Sequence, residues 1–115
     1  MTIRFEETHE FKKHFKRLSK RYRTLPEDFV RLRTVLEISP VPDGKHTNVV
    51  TIEGDNRIIK IRLACRALRQ SSLRLIYAYD EKQHSVTFIE LYFKGDKETE
   101  DTERIRQFLN AKRSV

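Results

Sequence analysis

Lys60, Arg62 and Arg74 are the residues whose types and spacing suit chemistry. They lie in RIIKIRLACRALRQSSLRLIYAY, residues 57 to 79, a run with six Lys or Arg and no acid. Arg offers a planar fork of N–H donors that matches phosphate, and Lys offers a compact positive charge. Side chains alternate across a strand. Along residues 58 to 65, Ile59, Ile61, Leu63 and Cys65 share one face, while Lys60 and Arg62 share the other, with Arg66 continuing the series. Along residues 73 to 79, Leu73, Leu75, Tyr77 and Tyr79 share a face, and Arg74, Ile76 and Ala78 take the opposite one. If the larger apolar sets face the core, the three cations emerge together on the uncovered face.

Such an arrangement has a cost, because like charges on adjacent strands repel. Lys on an edge strand can protect it from aggregation. That explanation fits poorly a set drawn from two successive strands and a basic loop that adds Arg66 and Arg69. The functional reading is a cationic face that holds phosphate. Tyr77 and Tyr79 belong to the apolar set and read as core. Tyr92, at a strand end beside Phe93-Lys94-Gly95, reads as a ligand contact able to stack on a base.

Other constellations are weak. His9, His14, His46 and His84 are scattered, and His9 and His14 are five apart, which does not stack them on one helix face. His84 falls in an expected turn and reads as surface. One Cys and three Gly exclude a zinc site of the usual spacing and a glycine-rich phosphate loop. No metal or cofactor is expected.

These side chains need a scaffold, and 115 residues suit a single domain spanning 1–115. The formal charge of +7 creates a field that attracts polyanions, with nucleic acid, an acidic protein and an anionic membrane as candidates. The single Cys65 favours a reducing cytoplasm. The expectation is a cytoplasmic protein with no membrane span and no signal peptide.

Residues 2 to 6 alternate as a short strand. Thr8 is a good N-cap, and Phe11, Phe15, Leu18 and Tyr22 then form one helical stripe. The outer faces of this helix carry Lys12, Lys13, Lys16, Arg17, Lys20 and Arg21. Glu10 is the only acid between Thr8 and Tyr22, so the charge is one-sided where a solvated face would mix signs. Thr24-Leu25-Pro26-Glu27 has the form of a capping box and opens a second helix to about Ile38, with Phe29, Leu32, Val35 and Leu36 inward.

Residues 47 to 53, 57 to 65, 73 to 80 and 85 to 92 read as strands in a meander, and 99 to 111 as a terminal helix with Ile105, Phe108 and Leu109 apolar. The fold class is α+β: an antiparallel sheet of four to five strands, a helical hairpin on one face and a short C-terminal helix.

This order of elements resembles the RelE/ParE superfamily of type II toxins. The resemblance covers nearly the whole chain. It rests on Lys60-Ile61-Arg62-Leu63, on Ser72-Leu73-Arg74-Leu75-Ile76-Tyr77, and on Leu91-Tyr92-Phe93-Lys94-Gly95-Asp96-Lys97-Glu98. It implies a protein held inactive by a cognate acidic antitoxin. RelE-like members cut messenger RNA in the ribosomal A site, with ribosome, messenger and ribosomal RNA as partners. ParE-like members poison DNA gyrase. Basic residues on the open sheet face favour the nuclease branch. A gyrase inhibitor and a non-catalytic RNA-binding module are the alternatives.

Position by position, the resemblance implies that Lys60 and Arg62 are the basic pair of the central strand and that Arg74 steadies the scissile phosphate. Lys94 or Lys97 stands where the family places a late basic residue or His that protonates the leaving oxygen. One departure follows. RelE itself carries a second Lys, assigned as general base, where this chain has Arg62. Arg stays protonated in proteins, so Lys60, Glu90 or Glu98 would have to serve, or the ribosome would contribute more. Lys12, Lys13, Lys16, Arg17, Lys20, Arg66, Arg69 and Tyr92 are the expected nucleic-acid contacts.

Overall fold

Thr8 starts the first helix as its composition suggests. Its backbone is extended and its hydroxyl accepts from the Phe11 N–H at 3.2 Å. A computed structural model describes residues 2–69, 71–97 and 99–113. In order, these form β1 (Arg4–Glu7), α1 (His9–Arg21), α2 (Leu25–Ile38), β2 (Thr47–Glu53), β3 (Asn56–Ala64), β4 (Ser72–Asp80), β5 (Ser85–Phe93) and α3 (Thr102–Arg113). The N-terminal strand thus sits slightly later than residues 2 to 6, and the terminal helix later than 99 to 111.

The five strands form one sheet in the order β1-β5-β4-β3-β2. β2 to β5 make the expected antiparallel meander, while β1 lies parallel to β5. The α1–α2 connection carries the chain back across one face, where Phe11, Leu18, Leu25, Phe29 and Leu36 bury against Ile59, Ile61, Leu63, Leu73, Leu75, Tyr77 and Phe88. The Phe29 and Phe88 rings meet edge to face, with centroids 4.9 Å apart. The Tyr77 hydroxyl donates to the Pro40 carbonyl at 2.7 Å, and burial raises its pKa. Val35, expected inward on α2, is about half exposed. Leu32 takes the inward position only in part.

The expected capping box does not form. Thr24 has helical dihedrals and makes no cap hydrogen bond. Its hydroxyl instead accepts from the Ala67 N–H at 3.0 Å and lies 3.6 Å from the Cys65 sulfur. Glu27, the other half of the box, reaches the Arg66 guanidinium. The β3–β4 connection therefore takes both side chains that a local reading assigned to the helix start.

α3 covers the face of the sheet opposite the helical hairpin. Ile58, Ile76, Ala78 and Ile89 make an apolar patch there, and Ile105 and Leu109, one turn apart on α3, bury against it. Leaving that patch in water would cost about 25 cal/mol per Å² of apolar surface. The face that carries Lys60, Arg62 and Arg74 is thus apolar and covered at one end, cationic and open at the other.

Candidate nucleic-acid interface

Three backbone devices place the cations. Arg62 stands directly opposite Arg74 in the β3–β4 register, and Lys60 opposite Ile76. A bulge in β5 lets Ile76 pair with Glu90 while Tyr77 pairs with Phe88. The extra residue is Ile89, so Phe88 and Leu91 reach the hairpin core while Ile89 and Tyr92 reach the α3 core. A second irregularity, between Val49 and Thr51, sets Asn48 opposite Lys60. It also brings the chain before β2 alongside β3, where the Arg62 N–H donates to the His46 carbonyl at 3.1 Å.

The result is a cleft lined by Lys45, His46, Asn48, Lys60, Ile61, Arg62 and Arg74. A wider one of ≈ 310 Å³ adjoins it, lined by Arg62, Ala64, Arg69, Ser71, Ser72 and Arg74. Among the described residues, no acid lines either cleft. Arg62 is exposed, and among the described residues it has no ion pair. Arg74 is half-buried and oriented by its own strand: its guanidinium donates to the Ser72 hydroxyl at 2.7 Å. Arg74, which strand alternation places on the uncovered face, is therefore exposed only in part.

The other cations differ in how their charge is met. The Lys60 ammonium donates to Glu100 Oε1 at 2.9 Å. Burial pushes the Glu100 carboxyl up, but the hydrogen bond and charge of Lys60 outweigh this and hold it below its ordinary value. Arg66 is bound on the other side of β3, its Nε 3.0 Å from the buried carboxylate of Asp28 and its NH2 group 2.5 Å from Glu27. This internal pairing separates it from Arg62 and Arg74, although it continues their series in sequence. Arg69 stays with the site.

Tyr92 is buried, not an open stacking surface. Its ring packs with Ile105 and Leu109, and the Lys97 ammonium lies 5.4 Å from its centroid. Burial, with help from Glu100 and Glu90, raises its hydroxyl to about 12, so the phenol is protonated at neutral pH. Lys97 pairs with Glu90, whose other oxygen accepts from the Asp101 N–H at 2.9 Å. Lys94 is exposed in the turn after β5. Neither Lys94 nor Lys97 lines the clefts of Arg62 and Arg74. Glu98 lies outside the described residues.

Lys12, Lys13, Lys16, Arg17 and Lys20 are exposed on α1, which packs against the hairpin face of the sheet. They form a second basic surface and do not converge with Lys60, Arg62 and Arg74. Arg17 instead lines a separate cleft with His14, Glu90, Lys97 and Arg104. There, desolvation and then the charges of Arg104 and Arg17 lower the pKa of His14.

His46 is the residue that the one-dimensional reading passed over. Desolvation, then Arg62, Lys45 and Arg74, lower its pKa from 6.5, so the ring is neutral at pH 7. The signal was the hairpin itself, because a strand entering opposite Arg62 must bring the preceding residues with it. The bulge that sets this register leaves no motif.

The arrangement can bind a phosphate between Arg62 and Arg74, beside a neutral imidazole and an ammonium. Comparison of the sequence with protein-family models and with curated proteins gives no match. Comparison of the fold does. The archaeal RelE of a RelE–RelB complex from Pyrococcus horikoshii OT3 superposes with a TM-score of 0.64 and 25% sequence identity, covering 83% of this chain and 98% of that one.

Proposed function

Since the chain has a RelE-like toxin fold, we propose that it is the toxin of a type II toxin–antitoxin pair and an endoribonuclease that cuts messenger RNA on the ribosome. The observation that carries the reading is the facing pair Arg62 and Arg74. This chain neutralises Lys60, Arg66 and Arg57 with carboxylates brought from elsewhere. Among the described residues, Arg62 and Arg74 face each other across the strands without one, at a cost to the sheet. A phosphodiester would offset that cost.

In metal-independent cleavage the adjacent 2′-OH attacks phosphorus. Arg62 and Arg74 would stabilise the charge that grows on the non-bridging oxygens of the phosphorane. Lys60 adds positive charge one residue pair away. A ribosome that orients the RNA would supply positioning, which accounts for much of such a rate. The neighbour is a RelE bound to RelB, and by the same reading this chain has an acidic antitoxin. Arg62 and Arg74 would then meet antitoxin carboxylates when RNA is absent.

The experiment is translation with purified ribosomes and a defined message, read by primer extension, for the wild type and Arg74→Ala. Cuts within A-site codons that vanish in the variant are expected. Absence of cuts by folded wild type would overturn the reading. A supercoiling assay would then distinguish a gyrase inhibitor from a binder without catalysis.

A further inference from the structure

We propose that His46 is the general base that deprotonates the attacking 2′-OH. This rests on the nuclease reading above and deepens it. Cleavage needs a proton acceptor, and two candidates that the sequence offers, Lys60 and Glu90, are engaged elsewhere, while Glu98 lies outside the described residues. Arg62 stays a cation. The Lys60 ammonium is engaged with Glu100. Glu90 is buried, with one oxygen on Lys97 and the other on the Asp101 N–H.

His46 meets the requirement on geometry. Its carbonyl is pinned by the Arg62 N–H, and it lines the same cleft as Lys60, Arg62 and Arg74. Among the described residues, the polar and charged groups that line this cleft with it are Lys45 from its own loop, Asn48 from β2, Lys60 and Arg62 from β3 and Arg74 from β4. None is acidic. A neutral imidazole is favoured among these cations, and a neutral imidazole has the lone pair that a base needs.

The step balances. An imidazole nitrogen of His46 takes the 2′-OH proton while the 2′-oxygen forms its bond to phosphorus. The bond from phosphorus to the 5′-oxygen breaks, and that oxygen takes a proton from solvent. The imidazolium then returns its proton to solvent. The products are a 2′,3′-cyclic phosphate and a 5′-hydroxyl end.

The test is single-turnover cleavage of a message on purified ribosomes by wild type, His46→Ala and Arg74→Ala across the pH range. His46 is exposed, and thermal melts would verify that its variant folds. His46→Ala is expected to lower the rate by about 10²–10⁴-fold without weakening ribosome binding. The wild-type rate should fall at low pH as His46 protonates, and that limb should be absent in the variant. Added imidazole should restore part of the rate. A message with sulfur at the bridging 5′ position needs no acid for its leaving group, so the defect should persist there.

A wild-type rate in His46→Ala, while Arg74→Ala is inactive, would overturn the role of His46 and leave the nuclease reading standing. A defect that disappears with the sulfur leaving group would make His46 the acid and also overturn the proposal. Wild type that cuts no message would overturn the nuclease reading, and this proposal with it.

Discussion

Arg62 on β3 and Arg74 on β4 are direct cross-strand partners on the sheet face that α3 leaves open. The pair opposes two like charges, which costs the sheet stability. Arg62 is the better probe of that cost, because Arg74 is also hydrogen-bonded to Ser72. Arg62→Gln is expected to raise stability by about 0.2–1 kcal/mol at low ionic strength while lowering activity at least tenfold. The gain should shrink in high salt. Denaturant melts at two salt concentrations check it. A destabilised Arg62→Gln at low salt would show that the guanidinium supports the fold.

Glu100 restrains Lys60, and freeing that cation makes a prediction of opposite sign. Glu100→Gln should tighten binding of a single-stranded RNA and steepen its salt dependence by about 0.7 in log K against log salt. A filter-binding titration over a range of salt reads both. An unchanged slope would place Lys60 away from the phosphate track.

Asp28 ties α2 to the chain just beyond β3, accepting from the Arg66 N–H and Nε at 3.0 Å each. Burial pushes its carboxyl up. The Arg66 N–H, Thr24 and the Arg66 guanidinium outweigh this and hold it below 3.8. A depressed folded-state value contributes stability above the unfolded value, lost as pH falls through the folded one. The acid side of the stability curve, below about pH 4, should therefore flatten in Asp28→Asn. At pH 7 the same variant should lose about 1–3 kcal/mol, because a buried N–H loses its charged acceptor. Urea melts from pH 3 to 7 measure both effects.

α3 is predicted to hold the second core together. Leu109→Ala removes a side chain buried against Ile58, Ile76 and Ile89 and should cost about 2–3 kcal/mol. Lys112→Ala, on the exposed side of the same helix, should cost less than about 0.5 kcal/mol. Equal effects in thermal melts would indicate that α3 detaches readily from the sheet.

Much of this protein can be read along the chain. The Phe11, Phe15, Leu18 and Tyr22 stripe specifies α1, and Thr8 caps it, because both depend on neighbours within one or two turns. The alternation of Ile59, Ile61 and Leu63 against Lys60 and Arg62 specifies β3 and the facing of its cations. The resemblance carried by residues 60 to 63 and 72 to 77 anticipated the RelE-like fold. These are period-2 and period-3.6 patterns, and a strand or helix displays them without its partners.

Tertiary structure decided what depends on register and long-range pairing. A single extra residue at Ile89 turns Tyr92 into the α3 core and so withdraws it as a stacking platform. The irregularity after Val49 sets the register in which His46 meets Arg62. Glu100, 40 residues from Lys60, decides that this lysine is paired, while among the described residues no acid pairs with Arg62, which leaves that arginine available. α3 goes to the cationic face because the apolar patch of Ile58, Ile76, Ala78 and Ile89 lies there. Local sequence determines which side chains can share a face. Which of them meet across strands is a property of the folded chain, because one inserted residue reverses every facing beyond it.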